Sequence, residues 1–425
     1  MTHNPLSLRP LALLGALAAL LAAAPLHAQE LTYQAFIGRV MEHNLDLAAA
    51  RLDRDISQAD LAAARKFTDP TLSAEYGNNS DWDIAMGQSL SVELGKTISF
   101  GKRSARIAVA RHALDATDAG LRQFGLTLRA EATLAFVDAL LARDLALIHL
   151  RNAQNMQSLY HSDSLRHATG DLSELDVMQT RLEANIARQQ YLASQVEYRN
   201  ALVDLDRLMG DTASATASVA GTLAVPAHLY NLPSLLAQAD SLRPDLEQQR
   251  HLALLSESEL TQVRRDRLPD IDLALGASYS TRVRNEEAPA PPFVGYTVGL
   301  SLPLPVSNLN RADIRSAQYK ARQAHIQADI ARQQARAEIV KAYNDYRSAL
   351  DRLSDYNTVV IHGARQVLDG KLYAYRRGET PLLEVINAQH TYNELQQSYA
   401  ECLHQCITAW IELERSAGTS EYTIQ

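Results

Sequence analysis

Two cysteines, Cys402 and Cys406, are the whole complement of a 425-residue chain. That number excludes a scaffold stapled by disulfides. Beyond the N-terminal segment no stretch offers 18 consecutive apolar residues, so no transmembrane helix is expected. Nucleophile motifs, a P-loop and a dinucleotide fingerprint are missing too. His149, His161, His167, His325, His362 and His390 are scattered without ligand spacing. No enzyme, no cofactor and no metal site is therefore expected. A net charge of −8 gives no reason to expect nucleic acid. Glycine is scarce, at 18 residues, while Ala, Leu, Gln, Arg and Glu are abundant, which points to long helices.

The first 28 residues have a secretory layout: Arg9, an apolar core from Leu11 to Ala24, then "PLHAQE". Cleavage is expected after Ala28, and no cysteine follows to announce an N-terminal lipid anchor. Export combined with so little cysteine fits a periplasmic or outer-membrane protein.

What the chain does have, it has twice. "RHATGDLSELDVMQTRL" (166–182) is echoed by "RRGETPLLEVINAQHTY" (376–392), with Gly170 and Gly378 208 residues apart. "RAEATLAFVDALLA" (129–142) lines up with "RAEIVKAYNDYRSA" (336–349), and "NLDLAAARLDR" (44–54) with "RPDLEQQRHLA" (243–253). Pro70 matches Pro269. An ordered series of this kind indicates an internal duplication in two copies of about 200 residues.

Inside each copy the apolar period changes to two. Leu72, Ala74 and Tyr76 alternate with Thr71, Ser73 and Glu75, and Leu90, Val92 and Leu94 with Ser89, Ser91 and Glu93. In the second copy Ile271, Leu273, Leu275, Ala277 and Tyr279 alternate, then Val294, Tyr296, Val298, Leu300 and Leu302. This is the pattern of strands with one apolar face. The segments "GNNSDWD" (77–83) and "RVRNEEAPAPP" (282–292) make each pair a hairpin. Strands of this length suit an outer-membrane barrel, but four cannot close one, and an open edge is not viable in lipid. Several chains must pool strands, and three would give twelve. An ordinary sheet packed on the helices is the alternative.

From Lys102 to about Leu165 there is no proline, and such a length indicates coiled-coil-like packing. Positions 382, 385, 389, 392, 396, 399, 403, 406, 410 and 413 form a seam with 3–4 spacing, two of its members being Gln. Gly170 and Gly378 are expected to end helices in the left-handed region, with Ser173 or Thr380 capping the returning helix. Cys402, His404 and Cys406 lie within five residues, but His404 points away from the other two, so packing explains them better than a metal.

The twofold repeat, "GDLSELDVMQTR" and "GETPLLEVINAQHTY" at the tips, the strand entries at Pro70 and Pro269, and the strand exits "SFGKRSARI" and "SLPLPVSNLNRADI" together resemble the outer-membrane factor (TolC-like) family. The resemblance covers essentially the whole mature chain. It implies a mixed fold, a membrane β-barrel of twelve strands from three chains continued by a long α-helical barrel. On that basis the chain divides into a signal peptide (1–28), N-terminal helices (29–69), the first membrane hairpin (70–101) and the first helix pair with connector (102–230). The second copy repeats this as helices (231–268), hairpin (269–305) and helix pair (306–417), leaving a tail (418–425).

The resemblance also implies function: a passive exit duct in the outer membrane, with a long periplasmic extension. Its partners would be two further copies, a periplasmic adaptor, an inner-membrane pump of the resistance–nodulation–division type, and outer-membrane lipid. It puts acidic rings at a constricted tip, where Glu384 falls on the first acidic position and Asn387 on the second, with Asp176 as the counterpart in the first copy. The neutral Asn387 leaves one charged ring, although an acid near a helix start is also favoured by the macrodipole alone. Gly170, Asp171, Gly378, Glu379, Arg376 and Arg377, with Arg166 and His167, become candidate contacts for the adaptor. The strand exits resemble the branch serving heavy-metal exporters. Drug efflux, polypeptide secretion and a pore-less periplasmic scaffold are the alternatives.

Overall fold

The computed structural model describes residues 30–79, 85–211, 216, 218–225, 229–304, 310–356, 358–420, 422 and 424. The secretory segment, residues 80–83 of the first hairpin loop and residues 305–309 of the second strand exit lie outside them.

Two helices, α1 (Tyr33–His43) and α2 (Leu45–Ala64), precede strands β1 (Thr71–Asn78) and β2 (Gln88–Ile98). Helix α3 then runs over Lys102–Ala168 and returns as α4 (Glu174–Leu208). The second copy follows the same order: α5 (Leu232–Leu242), α6 (Pro244–Asp266), β3 (Ile271–Ser280), β4 (Phe293–Ser301), α7 (Arg311–Asp355), α8 (Thr358–Arg376) and α9 (Leu382–Ala417). At 67 residues α3 is about 100 Å long. No helix among the described residues is long and apolar enough to cross a membrane.

One difference separates the copies. Where α3 is continuous, its counterpart ends at Asp355, with Tyr356 as its C-cap, and a further helix begins at Thr358. The β-branched run Thr358–Val359–Val360–Ile361 follows the break, and such residues are poor helix formers.

The strands form one antiparallel sheet in the order β1-β2-β3-β4. Its register keeps the apolar residues on one face: Leu72 opposes Leu94, Leu94 opposes Leu275, and Leu275 opposes Val298. On the other face Ser73 opposes Glu93, Glu93 opposes Gly276, and Gly276 opposes Thr297. No helix among the described residues covers the apolar face, where Leu72 is 73%, Val298 80% and Tyr296 84% exposed. The sheet is therefore not packed on the helices. Both outer strands, β1 and β4, present a free edge.

The helices hold the core. Midway along α3, Phe136 stacks on Phe36 and meets Tyr33 edge-on, both at 5.6 Å between centroids. The same cluster takes in Tyr346 of α7 and Cys406, Ile407, Trp410 and Ile411 of α9, so it joins the two copies. The seam of α9 faces inward: Leu382, Val385, Gln389, Tyr392, Cys406, Trp410 and Leu413 are all buried. Buried Gln389 is satisfied by donating to Asn393 Oδ1 at 3.0 Å, which explains how a polar residue occupies that seam.

The duplication is written in the backbone as well. Gly170 donates to the His167 carbonyl at 2.9 Å and Asp171 to that of Arg166 at 2.8 Å. Gly378 donates to Tyr375 at 3.0 Å and Glu379 to Ala374 at 2.9 Å, the same closure 208 residues later. Both glycines are left-handed, with φ of 87° and 76°, as a helix-ending Schellman turn requires. The return helices end alike at Gly210 and Gly418. Each of these ends is gripped from a helix junction: Asn44 Nδ2 donates to the Leu208 carbonyl at 3.0 Å, and Arg243 Nη1 to that of Ser416 at 2.9 Å. Leu208 and Ser416 are again 208 residues apart.

Candidate functional site: the helical tip

The end of the molecule opposite the sheet is built from the last turns of α3 and α8 and the first of α4 and α9. A second apolar cluster holds these four helices together, with Met156 and Leu159 from α3, Ala184 and Ala187 from α4, Tyr375 from α8, and Leu382, Val385 and Ile386 from α9.

One polar bridge crosses this cluster. The Tyr375 hydroxyl donates to Asp163 Oδ1 at 3.1 Å, linking residues 212 apart in sequence. Asp163 is fully buried, and its Oδ2 has no hydrogen-bond partner among the described residues. Burial pushes the Asp163 carboxyl up from the ordinary carboxylate range, against the opposing pull of Tyr375 and Arg166. Burial likewise raises the Tyr375 phenol. The Arg166 guanidinium lies 5.2 Å from the centre of the Tyr375 ring, a cation–π distance. Arg166 and Arg376 also line a cavity with Arg365, Asp369, Tyr375 and Gln389.

The expected tip residues fall around this bridge. Glu384 lies in the first turn of α9, exposed, and Asn387 lies three residues on. Lys371 Nζ of α8 donates to Glu384 Oε2 at 3.0 Å, so within one chain the acid is already paired with a cation. Asp176 hydrogen-bonds locally. Its carboxylate accepts from Ser173 Oγ at 2.7 Å, and its backbone N–H donates to the same oxygen. This caps the N-terminus of α4, and Asp176 is close enough to Asp163 to oppose its charge.

Thr380 does not cap the other return helix. The N-cap of α9 is Pro381, with no side-chain hydrogen bond: a proline stands where the first copy has its capping Ser173, 208 residues earlier, and Thr380 lies one residue outside the cap.

At the turns themselves Gly170 and Gly378 are exposed, and a Cβ on either would meet nothing within 4 Å. Arg377 is tied to Glu379 at 3.2 Å and rests 5.5 Å from the Tyr373 ring. Asp171 accepts from Thr169 Oγ1 at 2.9 Å, and His167 Nδ1 meets the Leu172 carbonyl at 2.9 Å. Arg376 is exposed. Both turns therefore present charged groups in open space.

Asp163, Tyr375 and Lys371 were not singled out by the sequence. The available signal was Asp163 itself, a carboxylate continuing the buried stripe Asn152, Met156 and Leu159. The cysteines sit apart from all this: Cys406 is fully buried and its thiol is pushed up to about 11, chiefly by burial. His404 turns away to pair with Asp138.

Comparison with known proteins agrees with this geometry. The family described as outer membrane efflux protein matches residues 36–211 and 235–419. The cobalt-zinc-cadmium resistance protein CzcC of Cupriavidus metallidurans is 25% identical over 392 residues, covering 91% of this chain and 90% of that one. The outer membrane efflux protein BepC of Brucella suis is 20% identical over 89% of this chain and 84% of its own. Among solved structures, the CmeC outer membrane channel of Campylobacter jejuni superposes with a TM-score of 0.77 at 13% identity, over 91% of this chain and 86% of its own. CusC gives 0.74 at 19% identity, over 91% and 92%. Members of the matching family are trimeric channels that work with adaptor proteins and inner-membrane pumps. Matched over both of its copies, this chain belongs to the outer membrane efflux protein family.

Proposed function

We propose that three copies of this chain form the exit duct of a tripartite pump that expels heavy-metal cations. The observation that carries the duct is the bare apolar face of the sheet, whose β1 and β4 edges are unpaired. Joining β4 of one copy to β1 of the next closes twelve strands, pairs every edge and turns that face to lipid. A pore-less scaffold would leave the same apolar residues in water with nothing gained. The metal cargo is supported by the strand-exit segments and by the likeness to a cobalt-zinc-cadmium resistance protein along nearly the full length of both chains.

In this reading the tip is the gate. The Asp163–Tyr375 bridge and the Lys371–Glu384 pair tie α8 to α3 and to α9, and so hold the second copy's helices against their neighbours. Three Glu384 side chains would ring the throat, with Asn387 supplying no second ring and Asp176 serving mainly as a cap. Each Glu384 carries its Lys371, so the closed ring has little net charge. The open turns at Gly170, Asp171, Gly378 and Glu379, with Arg376 and Arg377, are the surface offered to a periplasmic adaptor, which in turn joins a resistance–nodulation–division pump.

Planar-bilayer recordings test the duct and its ring. The purified trimer is expected to give discrete channels. Lys371→Ala bares the three carboxylates, and block by divalent cations should strengthen severalfold. Glu384→Ala should lose that block. Wild type and both variants with identical conductance and identical block would remove Glu384 from the throat, and a protein that forms no channels would remove the duct.

A further inference from the structure

Fifteen ångströms or so down α3 from its junction with the sheet, estimated from ten residues of helix, side chains from the two copies converge away from the tip. His112 and Asp115 are one turn apart on α3, and His251 comes from α6, which packs alongside. One ligand atom from each lies within 4.8 Å of the others. We infer that His112, Asp115 and His251 form a binding site for a first-row divalent cation of the zinc type, joining the first copy to the second.

The donor set fits that class. Two imidazoles and one carboxylate suit zinc, cobalt or copper, and leave a position for water. The hydrogen bonding points the same way. Nδ1 of His112 and Nδ1 of His251 are both buried without a hydrogen-bond partner among the described residues, although buried polar atoms are normally satisfied. His112 Nδ1 stands 3.8 Å from Asp115 Oδ2, and Glu247 Oε1 faces the other nitrogen of His251, Nε2, at 3.7 Å. Both distances exceed a hydrogen bond, but two ligands of one tetrahedral ion stand about 3.4 Å apart, within a small side-chain adjustment of the first.

The surroundings are suited as well. The three side chains are 29%, 39% and 25% exposed, open enough for an ion to enter. Glu247 is held by Arg122 at 2.7 Å, so it is fixed beside the second nitrogen of His251, where carboxylates commonly orient a ligating histidine. A metal here would tie α3 to α6 beneath the sheet. The site depends only on this geometry and holds whatever cargo passes through the duct.

Titration of the full-length, tag-free trimer with Co²⁺ and with Zn²⁺ is the test. One ion per chain is expected, with cobalt ligand-field bands and no thiolate charge-transfer band. His112→Gln or His251→Gln should each weaken binding at least about tenfold, and the pair together should abolish it. Zinc should raise the melting temperature of wild type and leave that of the double variant unchanged. Comparing melting temperatures in chelator shows whether the variants fold like wild type. Equal affinity in the double variant, a thiolate band that vanishes with Cys402→Ala and Cys406→Ala, or no binding at micromolar ion would each overturn the site.

Discussion

Gly210→Ala is expected to destabilise the folded chain by about 3 kcal/mol or more, combining a left-handed backbone cost with a steric one. Gly210 has φ of 76°, and a Cβ built there would stand 2.6 Å from the His43 carbonyl oxygen. That oxygen belongs to the α1–α2 junction, which Asn44 locks to the end of α4. Backbone cannot step aside as a flexible side chain would. At the equivalent place in the second copy, Gly418 has φ of 85° and its Cβ would lie 3.0 Å from both the Arg243 nitrogen and the Leu242 carbonyl carbon, backbone atoms again but a milder overlap than the 2.6 Å at Gly210. Gly418→Ala should therefore cost about 2 kcal/mol. Gly378, with the same φ as Gly210 but open space around it, should cost only about 1 kcal/mol. Melting of the three detergent-solubilised variants should rank them in that order. If Gly378→Ala is as damaging as Gly210→Ala, the junctions are not what makes these glycines necessary.

Tyr375→Phe is expected to open the tip. The phenylalanine keeps the ring against Arg166 but removes the donor to Asp163 Oδ1, and Oδ2 already has no hydrogen-bond partner among the described residues. Leaving a buried acceptor unsatisfied costs about 1–3 kcal/mol, and 1.4 kcal/mol is a factor of ten in the closed-to-open ratio. Mean conductance in bilayers should rise severalfold or more at neutral pH.

Acid should offset the defect. The packed tip raises the Asp163 carboxyl above its unfolded value, so the closed form binds protons that the open form releases. The closed tip accordingly gains stability as pH falls through the raised value toward the ordinary carboxylate range, and is weakest above it. Asp163→Asn, which still accepts from Tyr375, should stay closed and lose this pH dependence. An unchanged conductance in Tyr375→Phe would mean the bridge is not a constraint on the channel.

The parts of this architecture carried by local pattern were legible in the sequence. Alternation with period two puts Leu72, Leu94, Leu275 and Val298 on apolar strand faces, because a strand leaves no other choice of side for its side chains. Gly170 and Gly378 were readable as helix ends because only glycine takes that backbone conformation freely. The seam of α9 was readable even through Gln389.

What stayed hidden depends on distance. Asp163 and Tyr375, or His112 and His251, meet only after two copies have packed, and no spacing along the chain announces them. Lys371 changes the meaning of Glu384 for the same reason. The break before Thr358 and the idle Thr380 show where two nominal repeats diverge, one through a β-branched run, the other through a single proline.

Growth of a deletion strain on metal and drug gradients, with and without rescue by the wild-type chain, tests the central claim most directly. Zinc, cobalt and cadmium would run beside dyes, detergents and antibiotics. A heavy-metal exit duct predicts sensitivity confined to the metals, restored by wild type. Sensitivity to the lipophilic compounds with normal growth on metals would contradict it, and would make this chain a duct for a different pump.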